Sequence, residues 1–215
     1  MFVIIYTLQS STEKFIESGG QRRMRKSKAE TARTRERIVE TASKQFRRHG
    51  ISDLGLSTLM AAAGLTHGGF YRHFASKDQL VSEACHKALL SLTGGLEAHI
   101  AGKSPQQALP LLLEKYLSRT HRDQPAAGCL LAALGSELVR SDATTRDAAT
   151  NGFLRLAGLI ARQLKTLPPG EAQDRSLAIA AAMIGAITLS RIITDAPTSN
   201  ALLRATKNYI LNARK

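Results

Sequence analysis

The chain has 215 residues, of which 43% are hydrophobic and only 5% aromatic, with no Trp, six Pro and a formal net charge of +13. Enough apolar residues are present to exclude a disordered polymer, and length allows one sizeable core or a small domain joined to a larger one. Two cysteines, Cys85 and Cys129, exclude a disulfide scaffold, and no apolar run reaches the ~20 residues of a membrane helix. The apolar stretch Phe2 to Leu8 has no basic residue ahead of it and no small-residue cleavage site, so it makes a poor signal peptide, and a cytoplasmic protein is expected.

Charge is concentrated near the N-terminus. Residues 22–80 carry 13 Lys/Arg against 5 Asp/Glu, whereas residues 81–215 carry 16 against 10 over more than twice the length. A block of this kind attracts a polyanion such as DNA, RNA or an acidic membrane. A solvated basic face with no partner has the same composition.

In chain order, residues 1–28 read as a flexible basic extension, and the change of composition at Met24 suggests that the natural start lies there. A helix is predicted from Glu30 to His49, with Ile38, Val39, Ala42 and Phe46 forming one apolar stripe and Gly50 placed for a left-handed cap. Ser57 is a candidate N-cap for a short second helix ending at Ala63. Gly64 and Leu65 form a turn, and Thr66 caps a third short helix ending near Phe74. Ser76-Lys77-Asp78-Gln79 is a capping-box pattern that opens a longer helix. Five or six helices follow, punctuated by Gly94-Gly95, Ser104-Pro105, Gln124-Pro125, Pro168-Pro169-Gly170 and Ala196-Pro197. No alternating strand pattern is visible, so the fold class is all-α.

Three helices in the order long, short, short, with a glycine turn inside the short pair, describe a helix-turn-helix unit. The brace helix needs small residues facing its partner, and Ala61, Ala62 and Ala63 are candidates. Leu59, Leu65, Phe70 and Phe74 are spaced to fill a small core against Phe46. Residues 56–71 contain no Asp, Glu, Lys or Arg, so any base reading there falls to hydroxyls, imidazole and close backbone approach. Charge for affinity then comes from Arg22 to Arg48, Arg72 and Lys77.

The run Ser57-Thr58-Leu59-Met60-Ala61-Ala62-Ala63-Gly64-Leu65-Thr66-His67-Gly68-Gly69-Phe70-Tyr71-Arg72-His73-Phe74-Ala75-Ser76-Lys77-Asp78-Gln79-Leu80 resembles the DNA-binding domain of TetR-type regulators, and its ending, Tyr71-x-His73-Phe74-x-Ser76-Lys77-x-x-Leu80, is the most specific part. The resemblance implies a helix-turn-helix domain over residues 29–80, with the motif at about 54–74, and a helical ligand-binding and dimerisation domain over 81–215. It further implies that Thr58 anchors the second helix to a phosphate and that Thr66, His67, Gly68 and Gly69 open the recognition helix. Tyr71, His73 and Lys77 would meet the DNA backbone, with Tyr71 reaching toward a base edge. His73 as a plain helix C-cap is the alternative. Met60 departs from the pattern, standing where many such units carry Ala.

The implied function is a homodimeric repressor on a palindromic operator, released by an unidentified small molecule. A ligand-independent or activating regulator and a charge-driven nonspecific binder are the alternatives. The last two helices, near 171–194 and 199–213, are the expected dimer face, with an apolar pocket beside the uncharged stretch 176–190. Residues 81–215 carry no catalytic signature, no metal-ligand spacing and no phosphate loop, so neither an enzyme nor a bound cofactor is expected. Cys129 follows Gly128 near a helix start, where the helix dipole lowers a thiol pKa, and is the candidate redox residue. A small buried hydrophobe is the plainer reading of that thiol.

Overall fold

The computed structural model describes residues 28–212 and is all helical, with no strand among the described residues. The extension over 1–28 and the Met24 boundary lie outside the described residues, apart from Lys28. Helix α1 spans Lys28–His49 and α2 spans Leu56–Ala62, followed by a 3₁₀ segment, His67–Arg72. Then come α3 (Lys77–Ile100), α4 (Pro105–Tyr116), α5 (Arg119–Asp123), α6 (Leu130–Leu138), α7 (Ala143–Ala161), α8 (Pro169–Ile192) and α9 (Ala196–Asn212), with a single 3₁₀ turn at Pro125–Ala127 between α5 and α6.

Local chemistry explains most of the boundaries. Ser76 Oγ accepts the Gln79 N–H at 3.1 Å while the Gln79 side chain accepts the Ala75 N–H at 2.8 Å. Ser104 and Gln107 form a capping box with Pro105 at the first helical position, and Asp142 Oδ1 accepts the Thr145 N–H at 2.6 Å. Gly50 and Gly64 have φ of 88° and 70°, the left-handed region that the turns after α1 and α2 require. Gly94 and Gly95 do not end α3, which continues to Ile100.

The buried apolar residues form two cores, and the partly buried Leu131 packs against both. The first gathers Ile38, Phe46, Leu59, Met60, Phe70 and Phe74, but also α3 as far as Leu89 and Leu130, Leu134 and Leu138 of α6. The second is built from α4, α7, α8 and α9 around Leu109, Leu112, Tyr116, Ile160 and Met183. Helix α3 runs uninterrupted through residue 80, and its N-terminal half belongs to the first core.

The seam between the two parts is polar as well as apolar. Arg47, 8% exposed, leaves α1 and donates from Nη1 to the Gly128 carbonyl at 2.9 Å, while Nε and Nη2 are held by the Ser43 carbonyl and hydroxyl. In the opposite sense, Glu137 of α6 accepts the N–H groups of Ile51 and Ser52 at 2.8 and 3.0 Å. Arg47 is therefore a buried strut and not part of the exposed basic face expected from Arg22 to Arg48.

Beside this seam sits His121, whose neutral tautomer follows from its partners. Its Nδ1 lies 2.6 Å from the Tyr116 carbonyl, which can only accept, so Nδ1 carries the proton. Its Nε2 accepts the Cys129 N–H at 2.7 Å and must be bare. Burial pulls the pKa down to about 4. Cys129 is fully buried, and burial pushes its thiol up, against the lowering expected at a helix start. Desolvation outweighs the helix dipole here, so the structure does not support the redox role considered for Cys129. Cys85 is likewise buried and pushed up to about 12.

Helix α8 is long and apolar enough, by length and composition, to cross a membrane, and 39% of its most apolar window is buried. It buries Ser176, Ile179, Ala180, Met183, Ile187 and Ser190 in the second core and turns Ala178, Ala181 and Ala182 outward.

Two measurements check the seam. Glu137→Ala removes a charge-assisted acceptor from two amides and is expected to cost about 1–3 kcal/mol in denaturant unfolding, with Glu137→Gln recovering part of it. For His121 the folded pKa is depressed, so as pH falls below about 6.5 the unfolded chain takes up the proton first. The stability gained from the neutral ring is fully present above pH 6.5 and drains away toward pH 4, by about 3 kcal/mol. The stability gap between wild type and His121→Ala should therefore narrow between pH 7 and pH 4.5, and a constant gap would contradict the assignment.

Candidate nucleic-acid interface and effector cavity

The candidate DNA-contact surface rests on an aromatic base. Phe70 and Phe74 are 0% and 2% exposed, stacked at 5.5 Å with a 26° interplanar angle. Arg35 of α1 lies over Phe74 at 4.6 Å, donates from Nε to the His73 carbonyl and pairs with Glu83 of α3. One arginine thus ties α1, the end of the 3₁₀ segment and α3 together.

On that base the segment carries its polar side chains outward. Thr58, Thr66, His67, Gly68, Tyr71 and Arg72 are exposed, and Gly69 is half-buried. Tyr71, 66% exposed, stands edge-on to Phe70 at 5.2 Å and to His67 at 6.5 Å, so both of its aromatic neighbours orient it. The structure brings seven of the nine candidate DNA-contact residues into the 66–73 segment, and Thr58 lies on the adjacent α2.

Several expectations change. The third short helix is 3₁₀ over His67–Arg72, with i→i+3 bonds such as Gly69 N–H to the Thr66 carbonyl at 3.0 Å, and it ends two residues before the expected Phe74. Two adjacent glycines disfavour an α-helical turn, and six residues suit the tighter form. Ser57 lies inside α2 and the N-cap is Gly55; Thr66 occupies the N-cap position of the 3₁₀ segment, but its side chain accepts no capping bond. The brace contact is made by Leu59, Met60 and Ala63, while Ala61 and Ala62 are exposed. Met60 is fully buried, and its Cε lies beneath Gly69. The unbranched thioether fills the space between the two short elements.

His73 sits at the C-cap of the segment and is half-buried. Lys77 is also half-buried and donates to the Ile51 carbonyl at 2.7 Å. That bond fastens the loop which Glu137 grips from the other side, so Lys77 has a structural role the sequence did not disclose. Among the basic residues of α1, Lys28, Arg33, Arg37, Lys44 and Arg48 are exposed, and all but Lys44, which pairs with Glu40, remain for electrostatic attraction.

Gly68 has no positive φ, and a Cβ added there would meet nothing within 4 Å. The chain's own fold does not require glycine at this position.

In the second part of the chain, a cavity of about 320 Å³ opens between α3, α4, α5 and the turn before α6. Leu92, Leu96 and Ala127 give it apolar wall, and Lys115, Tyr116, Ser118, Thr120, His121 and Gln124 give it polar groups. The stretch 176–190 does not line this cavity. Ala182, Gly185, Ala186 and Leu189 instead line a groove between α8 and α9 with Leu202 and Tyr209, where an enclosed pocket was expected. Among the described residues no cluster of His, Cys, Asp and Glu could hold a metal.

Comparison with known proteins follows the same division. Residues 38–84 match the family described as bacterial regulatory proteins, tetR family, and residues 105–207 match the C-terminal domain of LmrA/YxaF-like transcriptional regulators. A probable acrEF/envCD operon repressor of Escherichia coli K12 is 42% identical over 59 residues, 27% of each chain. The regulator AcrR of Shigella flexneri is 36% identical over 90 residues, 42% of this chain and 41% of that protein. The chain thus spans about a quarter to two fifths of the length of these curated relatives. An uncharacterised HTH-type regulator of Mycobacterium tuberculosis is similar over 192 residues at 27% identity, 82% of this chain and 94% of that one. A solved TetR transcriptional regulator from Chloroflexus aurantiacus superimposes with a TM-score of 0.73 at 25% identity, covering 86% of this chain and 95% of the other. With both of its parts matched in order, the chain belongs to the TetR family of bacterial transcriptional regulators.

Proposed function

We propose that the chain is a homodimeric, sequence-specific DNA-binding repressor that a small molecule releases from its operator. The observation that carries this reading is the exposed surface of Thr66, His67, Gly68 and Tyr71, free of Asp, Glu, Lys and Arg, on a buried aromatic base. Hydroxyl and imidazole groups held at the protein surface suit base edges, which are read by the direction of their donors and acceptors. The exposed cations of α1, with Arg72, supply the phosphate attraction. The names of relatives, one a probable operon repressor, favour repression over activation. A domain division at about residue 80 fits this reading, with residues 29–80 as the DNA-binding unit and 81–215 for ligand and partner. Such a protein works in the cytoplasm, where the chromosome lies.

A dimer is supported by the face of α8 and α9. Leu189, Ile192 and Tyr209 are 50%, 66% and 76% exposed, beside the small residues Ala182 and Gly185. Small residues let two helix pairs approach closely, and the large ones supply apolar area. Two copies joined there would present two reading segments, which must sit about 34–36 Å apart to enter successive major grooves. A ligand that prefers another separation lowers DNA affinity by its differential affinity for the two states.

The test is a binding assay on DNA flanking the chain's own gene, competed with random DNA; equal competition would point to a charge-driven nonspecific binder. Tyr71→Ala and His67→Ala are expected to fold normally. Loss of a base reader at His67 should cost about 1–3 kcal/mol and relax preference at one operator position. Gly68→Ala gives a sharper result. The fold tolerates it and should gain up to about 1 kcal/mol, while operator affinity falls because a methyl group blocks close approach. Unchanged operator affinity in Gly68→Ala would remove this residue from the interface.

A further inference from the structure

We infer that Arg35 and Glu83 are positioning residues for DNA recognition: together they set how the segment over residues 66–73 is presented, without meeting DNA themselves. Their role in recognition rests on the reading of that segment as the DNA-contact surface. The 3₁₀ turns end at Arg72 and α3 begins at Lys77, so the four residues 73–76, outside any helix, decide how one stands on the other.

The path of those four residues is fixed from two sides. From α1, Arg35 Nε donates to the His73 carbonyl at 3.3 Å, and its guanidinium lies 4.6 Å over the Phe74 ring. From α3, Gln79 Oε1 accepts the Ala75 N–H at 2.8 Å, and Ser76 Oγ accepts the Gln79 N–H at 3.1 Å. Glu83, one turn beyond Gln79, joins the two sides. Its Oε1 accepts from Arg35 Nη2 and, at 3.2 Å, from Gln79 Nε2. A single carboxylate oxygen thus aims both side chains that grip the linker.

The energetics assign this network to placement and not to folding. The Arg35 and Glu83 side chains are 36% and 32% exposed, and an ion pair open to solvent adds little to global stability. The apolar base of Phe70 and Phe74 survives its loss. Direction is what the pair supplies. Hydrogen bonds to base edges weaken steeply with misalignment, so a small rotation of the segment lowers operator affinity and leaves attraction to any DNA intact. Arg35 meets a carbonyl, a carboxylate and a ring face with one planar group. A lysine ammonium keeps the charge but cannot span all three.

Electrostatic attraction and positioning demand opposite signs at Glu83. Glu83→Gln removes a negative charge from the DNA-binding unit, and attraction alone would tighten binding to every DNA. Positioning requires operator affinity to fall.

The test uses the full chain carrying Glu83→Gln, Arg35→Lys or Arg35→Gln. Affinity is measured for operator DNA selected from a random-sequence pool and for random DNA across a range of salt, and amide hydrogen exchange over 66–76 is followed without DNA. Each variant is expected to keep the thermal unfolding midpoint of the wild type and to exchange faster at residues 73–76. Each should lose about tenfold in preference for operator over random DNA, the size of one misread base pair. The salt slope on random DNA should stay unchanged in Arg35→Gln, whereas a phosphate contact would take about one unit from it. Tighter or unchanged operator binding by Glu83→Gln, full operator affinity in Arg35→Lys, or unchanged exchange at 73–76 would overturn the inference. So would losses that follow a fall in thermal stability. A wild type that selects no sequence from the pool would count against the DNA-contact reading alone, and the exchange measured without DNA would still decide whether the pair holds the linker.

Discussion

A guanidinium taken out of water keeps its charge and must be met by acceptors wherever it comes to rest. Arg47 is the clearest case in this chain, because it is buried at the seam between two cores and its three hydrogen bonds go to Ser43 and to the Gly128 carbonyl. Glu137 makes the reciprocal insertion, from the second part of the chain into the backbone at Ile51 and Ser52. Each half lends the other one charged side chain, and each is received by main-chain groups. Breaking either leaves a desolvated charge or amide, which is far more costly than losing a surface ion pair. The two halves are consequently held in one relative placement.

That constraint turns the molecule into a transmitter of position. Helix α3 passes from the first core into the second without interruption, so a tilt of its far end is a tilt of the base on which the recognition segment sits. Helix α5, only five residues long, contributes no buried residue, yet its neighbours hold it through Arg191 from α8 and through Arg122 to α9. A short, hydrogen-bonded element of this kind moves with what it is attached to, since little apolar packing resists it.

Much of this was legible in the residues. Caps at Ser76 and Ser104, and the glycine turns at 50 and 64, are local chemistry, and they placed those helix boundaries well. The aromatic base of the reading unit followed from the spacing of Phe46, Leu59, Phe70 and Phe74. What did not show was anything decided by tertiary partners. Arg47 reads in sequence like its neighbour Arg48, and only the fold shows that one is a strut and the other exposed. Lys77 carries the same charge as any other lysine, and its bond to Ile51 spans 26 positions. Cys129 sits at a helix start, a position that argues for a reactive thiol, but full burial reverses the argument. The 3₁₀ form of residues 67–72 was signalled by Gly68 and Gly69, whose low helix propensity is visible in the sequence. The α8 stretch was expected to enclose a pocket because it is apolar and uncharged, a property equally suited to a groove facing outward.

The segment over residues 66–73 separates two tasks that many surfaces combine. Phe70, Phe74 and Met60 hold its shape from below, while Thr66, His67 and Gly68 stand on the outer side and contribute nothing to the core. Substitutions at those outer positions are therefore nearly free of folding cost. On the proposed reading of these residues as DNA contacts, such a scaffold can change its preferred sequence one residue at a time without passing through unstable intermediates.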